Sequence, residues 1–221
     1  IVLSWIIERL LPYEAEWTRP KADRATDLCH ALITGGAIEL IRTPFFAFLG
    51  ATAIELSASL ETELWPHHWP LLVQVGLAFL LMEFGAYWLH RLQHQVGWLW
   101  RLHSVHHSSL RLYWLNAVRF HPADSALSIA FAFTLLLLAA PGQDVMTMLL
   151  VVGFAHMLLQ HSNADYKLGY LEWVIASPAL HRWHHSTDLT QQCKNLGGFL
   201  IIWDIVFKTR YLPKDRLPPV Q

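Results

Sequence analysis

The chain has 221 residues, enough for one domain, and 54% of them are hydrophobic while only 15% are charged, a balance that points to a membrane as solvent. A formal net charge of −1 at pH 7 supplies no basic field for nucleic acid and no acidic tail for a polycation. The two cysteines, Cys29 and Cys193, lie far apart and form no CxxC pair, which argues against a disulfide framework or a thiolate zinc knuckle and for free thiols in a reducing compartment.

In chain order, Ile1 to Leu11 lacks the basic flank and cleavage site of a signal peptide. Glu8 and Arg9 interrupt its apolar surface, so it reads as a helix lying on the membrane. Four apolar stretches follow, to be judged against the roughly 20 residues that carry a helix across about 30 Å of hydrocarbon. The first, Cys29 to Leu60, carries Glu39, Arg42 and Glu55 and contains Pro44, which predicts a kinked or partly re-entrant span. Leu71 to Leu89 is interrupted only by Gln74 and Glu83. Ser125 to Ala140 and Val145 to Leu159 are separated by Pro141-Gly142-Gln143-Asp144 and read as a helical hairpin. The tail from Pro213 onward, with Pro218-Pro219, reads as an extended or disordered end. The expected fold is all-α: a single membrane-embedded domain over 1–221, with about four transmembrane helices and a histidine-rich cap.

Basic residues orient that bundle, because loops kept in the cytoplasm carry excess Lys and Arg. Between Arg91 and His121 stand Arg91, Arg101, Arg111 and Arg119 with no acidic residue, whereas Glu61 to Pro70 has two glutamates and no Lys or Arg. Both termini and the cap are therefore expected in the cytoplasm, in a bacterial inner membrane or the endoplasmic reticulum. Trp65 and Trp69 at the outer end, and Trp88, Trp98 and Trp100 at the inner end, suit aromatic anchors, although core packing accounts for any single one equally well.

Eight of the fourteen histidines fall into three groups: His90-x3-His94, His103-x2-His106-His107 and His181-x2-His184-His185. Positions i, i+3 and i+4 share one face of a helix, so each group projects its imidazoles together. Neutral imidazole binds iron, zinc and copper. The first group ends one span, the second lies on the next cytoplasmic segment, and the hairpin returns the chain to that side before the third, so all three can meet. Their number exceeds the four ligands of a tetrahedral zinc, and two ions are the economical reading. His161, in Gln160-His161-Ser162-Asn163, ends the returning helix on the same side and is a ninth candidate. His156 is a tenth, with helix packing an equal alternative. His121, in Arg119-Phe120-His121-Pro122, is a group standing behind the ligands, and His30, His67 and His68 are read as interface residues.

These segments carry a resemblance. Tyr87-Trp88-Leu89-His90-Arg91-Leu92-Gln93-His94, Trp100-Arg101-Leu102-His103-Ser104-Val105-His106-His107-Ser108-Ser109, Arg119-Phe120-His121-Pro122, Gln160-His161-Ser162-Asn163, His181-Arg182-Trp183-His184-His185-Ser186, and Asn195-Leu196-Gly197 before Trp203-Asp204 resemble the fatty acid hydroxylase and sterol desaturase superfamily of membrane di-iron oxygenases, over about 71–212. The resemblance implies a helical membrane fold with a cytoplasmic di-metal cap, two iron ions for which zinc can substitute, molecular oxygen as co-substrate, and a lipid C–H bond hydroxylated or desaturated. Lys208 stands where such proteins commonly carry glycine in a Phe-Gly-Thr segment, which puts the terminal turn in question.

Among other groups, Glu83 lies seven residues before His90 on nearly the same helical face. It is a candidate to orient a ligand imidazole or to pair with a neighbouring helix. Asp188, Asn195 and Asn116 are further candidates behind the ligands. No glycine fingerprint for a dinucleotide is present, so electrons are expected from a separate reductase through a cytochrome b5-like or ferredoxin-like carrier. A sterol, fatty acyl chain, carotenoid or ether lipid each fits as substrate. A zinc transporter, a zinc-dependent membrane hydrolase and a dihaem protein are the competing readings. Transport sites lie near the bilayer midplane and haem ligation does not need His-His pairs, so the oxygenase is preferred.

Overall fold

A computed structural model describes residues 1–213 and 218. Beyond Pro213 and Pro218, the tail expected to be extended lies outside the described residues. Nearly all of the regular structure is helical, and among the described residues there is no strand, only the isolated bridges Pro12 to Ala164 and Ile175 to Leu200.

Four long helices form the body: α2 (Asp23–Leu60), α3 (Leu71–Gln95), α5 (Pro122–Leu138) and α6 (Gln143–Gln160). Short helices α1 (Val2–Leu10), α4 (Gly97–His103), α7 (Pro178–His184), α8 (Leu189–Gln192) and α9 (Ile202–Val206) build the cap. By length and composition α2, α3 and α6 can cross a membrane. The apolar α5 has 17 residues, about 26 Å at the helical rise per residue.

The first span, expected to be kinked or partly re-entrant, is not re-entrant: it is one helix of 38 residues with Pro44 inside it. Its Glu39 and Arg42, which broke the apolar pattern, pair with one another at 2.6 Å. At about 57 Å, α2 is nearly twice as long as the hydrocarbon is thick. The excess at its start serves the cap, where Asp27 is buried. The predicted hairpin has its turn at 139–142, with Ala140 at φ 57°, yet α5 and α6 pack little on each other. Each lies against α3, and α2 packs on α5. The approach of α5 to α3 depends on Gly85, whose absent Cβ would stand 1.9 Å from the carbonyl oxygen of Phe131.

The end of the bundle away from the histidines is closed by Trp65, Val75, Phe79, Leu136 and Leu149. Trp65 is therefore a core residue rather than an interface anchor, its indole donating to Gln74 Oε1 at 2.6 Å. Trp69 and Trp98 are exposed as anchors require, while Trp88 and Trp100 are half-buried. In α1 the buried residues are Ser4 and Glu8, and the outward surface carries Val2, Leu3, Trp5, Ile6 and Leu10. The helix thus turns its polar stripe to the protein and its apolar face outward, as a helix in a membrane interface does.

Candidate metal centre

The last two turns of α3 carry His90 and His94, α4 ends on His103, and the 3-10 turn after it holds His106 and His107. His161 caps the end of α6, and α7 carries His181 and His184 with His185 as its cap. Pro178 opens α7 and the Ser177 side chain accepts from Leu180 N–H, so the third cluster starts from a well-capped helix.

The nine histidines form two groups. His90, His94, His103, His107 and His184 make one; His106, His161, His181 and His185 make the other; within each, one ring nitrogen per residue lies within 4.8 Å of the rest. The assignment alternates along the chain. The second cluster gives its first and last members to the five-histidine group and its middle one to the other. The third cluster does the reverse. His107 and His185 stack at 4.2 Å where the groups adjoin.

The nitrogens fit metal ions. Nε2 of His90, His94, His103, His107 and His184 is buried with no hydrogen-bond partner, as are Nδ1 of His161 and His181 and Nε2 of His185. So many buried polar atoms would be costly if they met nothing. His161 Nε2 and His181 Nε2 face each other at 2.8 Å. Burial, reinforced by neighbouring imidazoles, holds His106, His107, His181, His184 and His185 well below the usual histidine range, and burial pushes His161 down to about 3. Neutral imidazole is the ligating form.

The opposite ring nitrogens are held from behind, as metal-bound imidazoles are. His90 Nδ1 meets Leu196 O at 2.7 Å, His184 Nδ1 meets Lys194 O at 3.0 Å, and His106 Nδ1 meets Arg119 O at 3.2 Å. His103 Nδ1 meets the buried carboxylate of Asp124 at 3.1 Å, and Gln93 donates to the other oxygen of that carboxylate. Donation from Nδ1 leaves Nε2 as the lone-pair nitrogen. Sequence reasoning missed Asp124; its one signal was a carboxylate in the first turn after His121-Pro122.

Lys194 and Leu196 flank Asn195, which sits at φ 52°. Its amide donates to Leu180 O and Tyr211 O at 2.9 and 2.7 Å and accepts from Tyr211 N–H. Asp204 accepts from Leu196 and Gly197 N–H, both at 2.8 Å, and from the Thr209 hydroxyl. Burial raises the Asp204 carboxyl above its ordinary range against those bonds. Glu83 takes Gly198 and Phe199 N–H at 3.0 and 2.8 Å. It clamps the loop that orients His90 and meets no imidazole itself.

The other candidates stand apart from both groups. His156 packs on Phe199 at 4.5 Å with Nε2 buried and unpartnered. His121 caps α5 by accepting Ala123 N–H. Asn116 bonds Ser109 and Arg111 and shapes their loop, and Asp188 caps α8 through Thr190. His30 and Thr34 bond the carbonyl of Phe120, whose ring stacks on His106 at 4.3 Å, while His67 and His68 are exposed. Arg111 pairs with Asp23 at 2.7 Å and Arg119 pairs with Asp27, so two of the four cap arginines are neutralised by α2.

The sequence profile of the fatty acid hydroxylase family matches residues 75–209. The chain is 37% identical to ornithine lipid hydroxylase OlsE of Rhizobium tropici, over 96% of this chain and 65% of that protein. It is 35% identical to human alkylglycerol monooxygenase over 60% of this chain and 29% of that protein. To the Delta(7)-sterol 5(6)-desaturase ERG3B of Gibberella zeae the identity is 27%, over 83% of this chain and 54% of that protein. The chain thus spans less than two thirds of the length of these relatives. No solved structure matches it. Because the matched segment covers more than half of the chain and takes in all nine histidines together with the loops behind them, this protein belongs to the fatty acid hydroxylase family.

Proposed function

We propose that this protein is a membrane oxygenase that hydroxylates a C–H bond of a polar lipid: R–H, O2, two electrons and two protons give R–OH and water. The observation that carries the reading is the pair of adjoining histidine groups with buried, unpartnered nitrogens. His90, His94, His103, His107 and His184 would hold one iron, and His106, His161, His181 and His185 the other; zinc fits the same nitrogens. Bound iron supplies the one-electron chemistry by which oxygen is reduced and a C–H bond is oxidised. The relatives' names support a lipid substrate. The likeness to an ornithine lipid hydroxylase runs through 96% of the chain, which favours an amino-acid lipid over a sterol and hydroxylation over desaturation.

The chain's own residues preorganise the site. Asp124 and the carbonyls of Lys194, Leu196 and Arg119 fix four imidazole planes and tautomers. Burial of His103, His106, His161, His181 and His184 keeps bulk water from much of the ligand set. Electrons come from a separate reductase through a ferredoxin-like or cytochrome b5-like carrier. Its approach is a cavity of about 250 Å³ lined by His94, Gln95, Trp100, Gln192 and Cys193, where the Trp100 ring lies 5.2 Å from that of His94. The cap and both termini face the cytoplasm, because Arg91 and Arg101 make no ion pair among the described residues and the outer loop is acidic. Residues 1–221 act as one unit, since the segment before α2 is bonded into the cap.

Iron-supplemented protein should approach two irons per chain. Supplied with ¹⁸O2, a reductase system and total membrane lipid, it should place label in one lipid product. Unlabelled alkene formed with oxygen consumption would mean desaturation. Lipid hydrolysis without oxygen, or zinc transport into vesicles, would refute the oxygenase.

A further inference from the structure

Outside the histidine centre, a cavity of about 160 Å³ lies between α1, the turn Ala15–Thr18 and the loop at 113–115. Trp5, Trp17, Tyr113 and Trp114 form its aromatic walls, and Glu8 lines it from within. Glu8 is only 6% exposed, and both of its hydrogen bonds, from Trp114 N–H at 2.7 Å and Asn163 N–H at 2.9 Å, go to Oε1. Its Oε2 has no partner among the described residues. A carboxylate oxygen that opens into an aromatic-walled cavity is a site for an ammonium group, which the ring faces and the charge attract together.

Arg9 and Arg24 also line the cavity. Arg9 lies 3.7 Å over the Trp5 ring and Arg24 donates to Thr18 O at 3.2 Å, and neither is in an ion pair among the described residues. They leave positive charge for an acidic group beside the ammonium. Trp5 belongs both to this wall and to the outward apolar face of α1, which places the cavity at the depth of lipid headgroups. Its volume is below that of a site for a whole drug-sized molecule, and suits a headgroup whose chains stay in the bilayer.

We infer that this cavity binds the zwitterionic headgroup of a membrane lipid, its ammonium against Glu8 and the aromatic walls and its acidic group at Arg9 and Arg24. Amino-acid lipids and phosphatidylethanolamine share that chemistry. Glu8 also holds Asn163, two residues after His161, so the headgroup site and the four-histidine group share a loop. The inference rests on the oxygenase reading only in taking the bound lipid for the substrate.

The test measures binding without turnover, on zinc-loaded full chain in detergent, with short-chain ornithine lipid, phosphatidylethanolamine and phosphatidylglycerol as probes. Both zwitterionic lipids, or one of them, should bind more tightly than phosphatidylglycerol, and the difference between the two names the source. Glu8→Gln keeps an acceptor for both backbone N–H groups and loses the charge, so zwitterionic lipid should bind roughly tenfold more weakly with phosphatidylglycerol unchanged. Metal content checks folding, and Arg24→Gln is the second variant, expected to weaken every probe. Undiminished binding in both variants, or phosphatidylglycerol binding as tightly as the zwitterions, would overturn the inference. Should binding behave as described while iron-loaded protein oxidises no lipid, the headgroup site stands and the oxygenase reading falls.

Discussion

Asp124 provides a measurable test of whether the groups behind the imidazoles matter. Its carboxylate is 1% exposed and has two partners, His103 Nδ1 at 3.1 Å on one oxygen and the Gln93 amide on the other. In Asp124→Asn one oxygen becomes an NH2 donor. If that donor faces His103, Nδ1 must accept and the proton moves to Nε2, the wrong tautomer for a ligand; if it faces Gln93, two donors meet until Gln93 turns over. Either route replaces a charge-assisted bond by a neutral one, a loss of about 1–2 kcal/mol, or roughly 5- to 30-fold in metal affinity. Asp124→Ala leaves two buried donors unmet at about 1–3 kcal/mol each, and should also lower thermal stability. Competition between the purified chain and a chromophoric chelator for zinc reads the first effect, and thermal unfolding reads the second. If Asp124→Asn held zinc within twofold of the parent while His103→Ala lost it, the carboxylate would not be orienting that ligand.

Asn195→Ala removes three hydrogen bonds and puts a side chain with no local partner at φ 52°. It should cost about 3–4 kcal/mol in unfolding free energy and weaken zinc binding; unchanged metal affinity would show that the Lys194 and Leu196 carbonyls hold their places without it. Lys208 is exposed at φ 59°, so Lys208→Gly should stabilise the chain by about 1 kcal/mol in thermal unfolding, and a fall in stability would contradict a strained turn. Gly85→Ala would place a methyl 1.9 Å from Phe131 O, a backbone atom that only a shift of α5 can move. A loss of about 3 kcal/mol or more, seen as low yield and early melting, is expected, and near-parental melting would mean that α3 and α5 are not held that closely.

Eight of the nine clustered ligand candidates were legible from their tight spacing, and His161 from its place at the end of the returning helix; the one-face reading did not foresee that each His-x2-His-His cluster divides its rings between the two groups. What lay behind them was not legible. Two of the orienting partners are the carbonyls of Lys194 and Leu196, and a carbonyl leaves no residue-type signature. Asp124 reaches His103 only because the chain between them folds back. Glu83 was placed on the right face but at the wrong height: seven residues are about 10 Å along a helix axis, which puts its carboxylate beside the amides of Gly198 and Phe199. The N-terminal segment, expected as a helix lying on the membrane, is helical, but nothing in its pattern tells that Glu8 reaches loops more than a hundred residues away. Of the two readings of the first span, kinked or partly re-entrant, the re-entrant one gives way to a continuous helix that keeps Pro44 inside it, and Glu39 and Arg42 satisfy each other on the exposed face of α2.

The alternation of the clusters explains why adjacent histidine pairs are useful to a two-ion centre. Neighbouring residues point about 100° apart on an α-helix and about 120° apart on a 3-10 turn, so a His-His pair is poorly suited to one ion and well suited to a wall between two. His106-His107 and His184-His185 each straddle that wall, sending one ring to each group, and His107 stacks on His185 across it. Each group consequently draws on both motifs, and α7 cannot shift to improve one set of nitrogens without disturbing the other. The loops pinned by Asp124, Glu83, Asn195 and Asp204 remove that freedom from the supporting side. Filling either group therefore orders ligands of its neighbour, and metal loading at the two should be coupled through these pairs rather than independent.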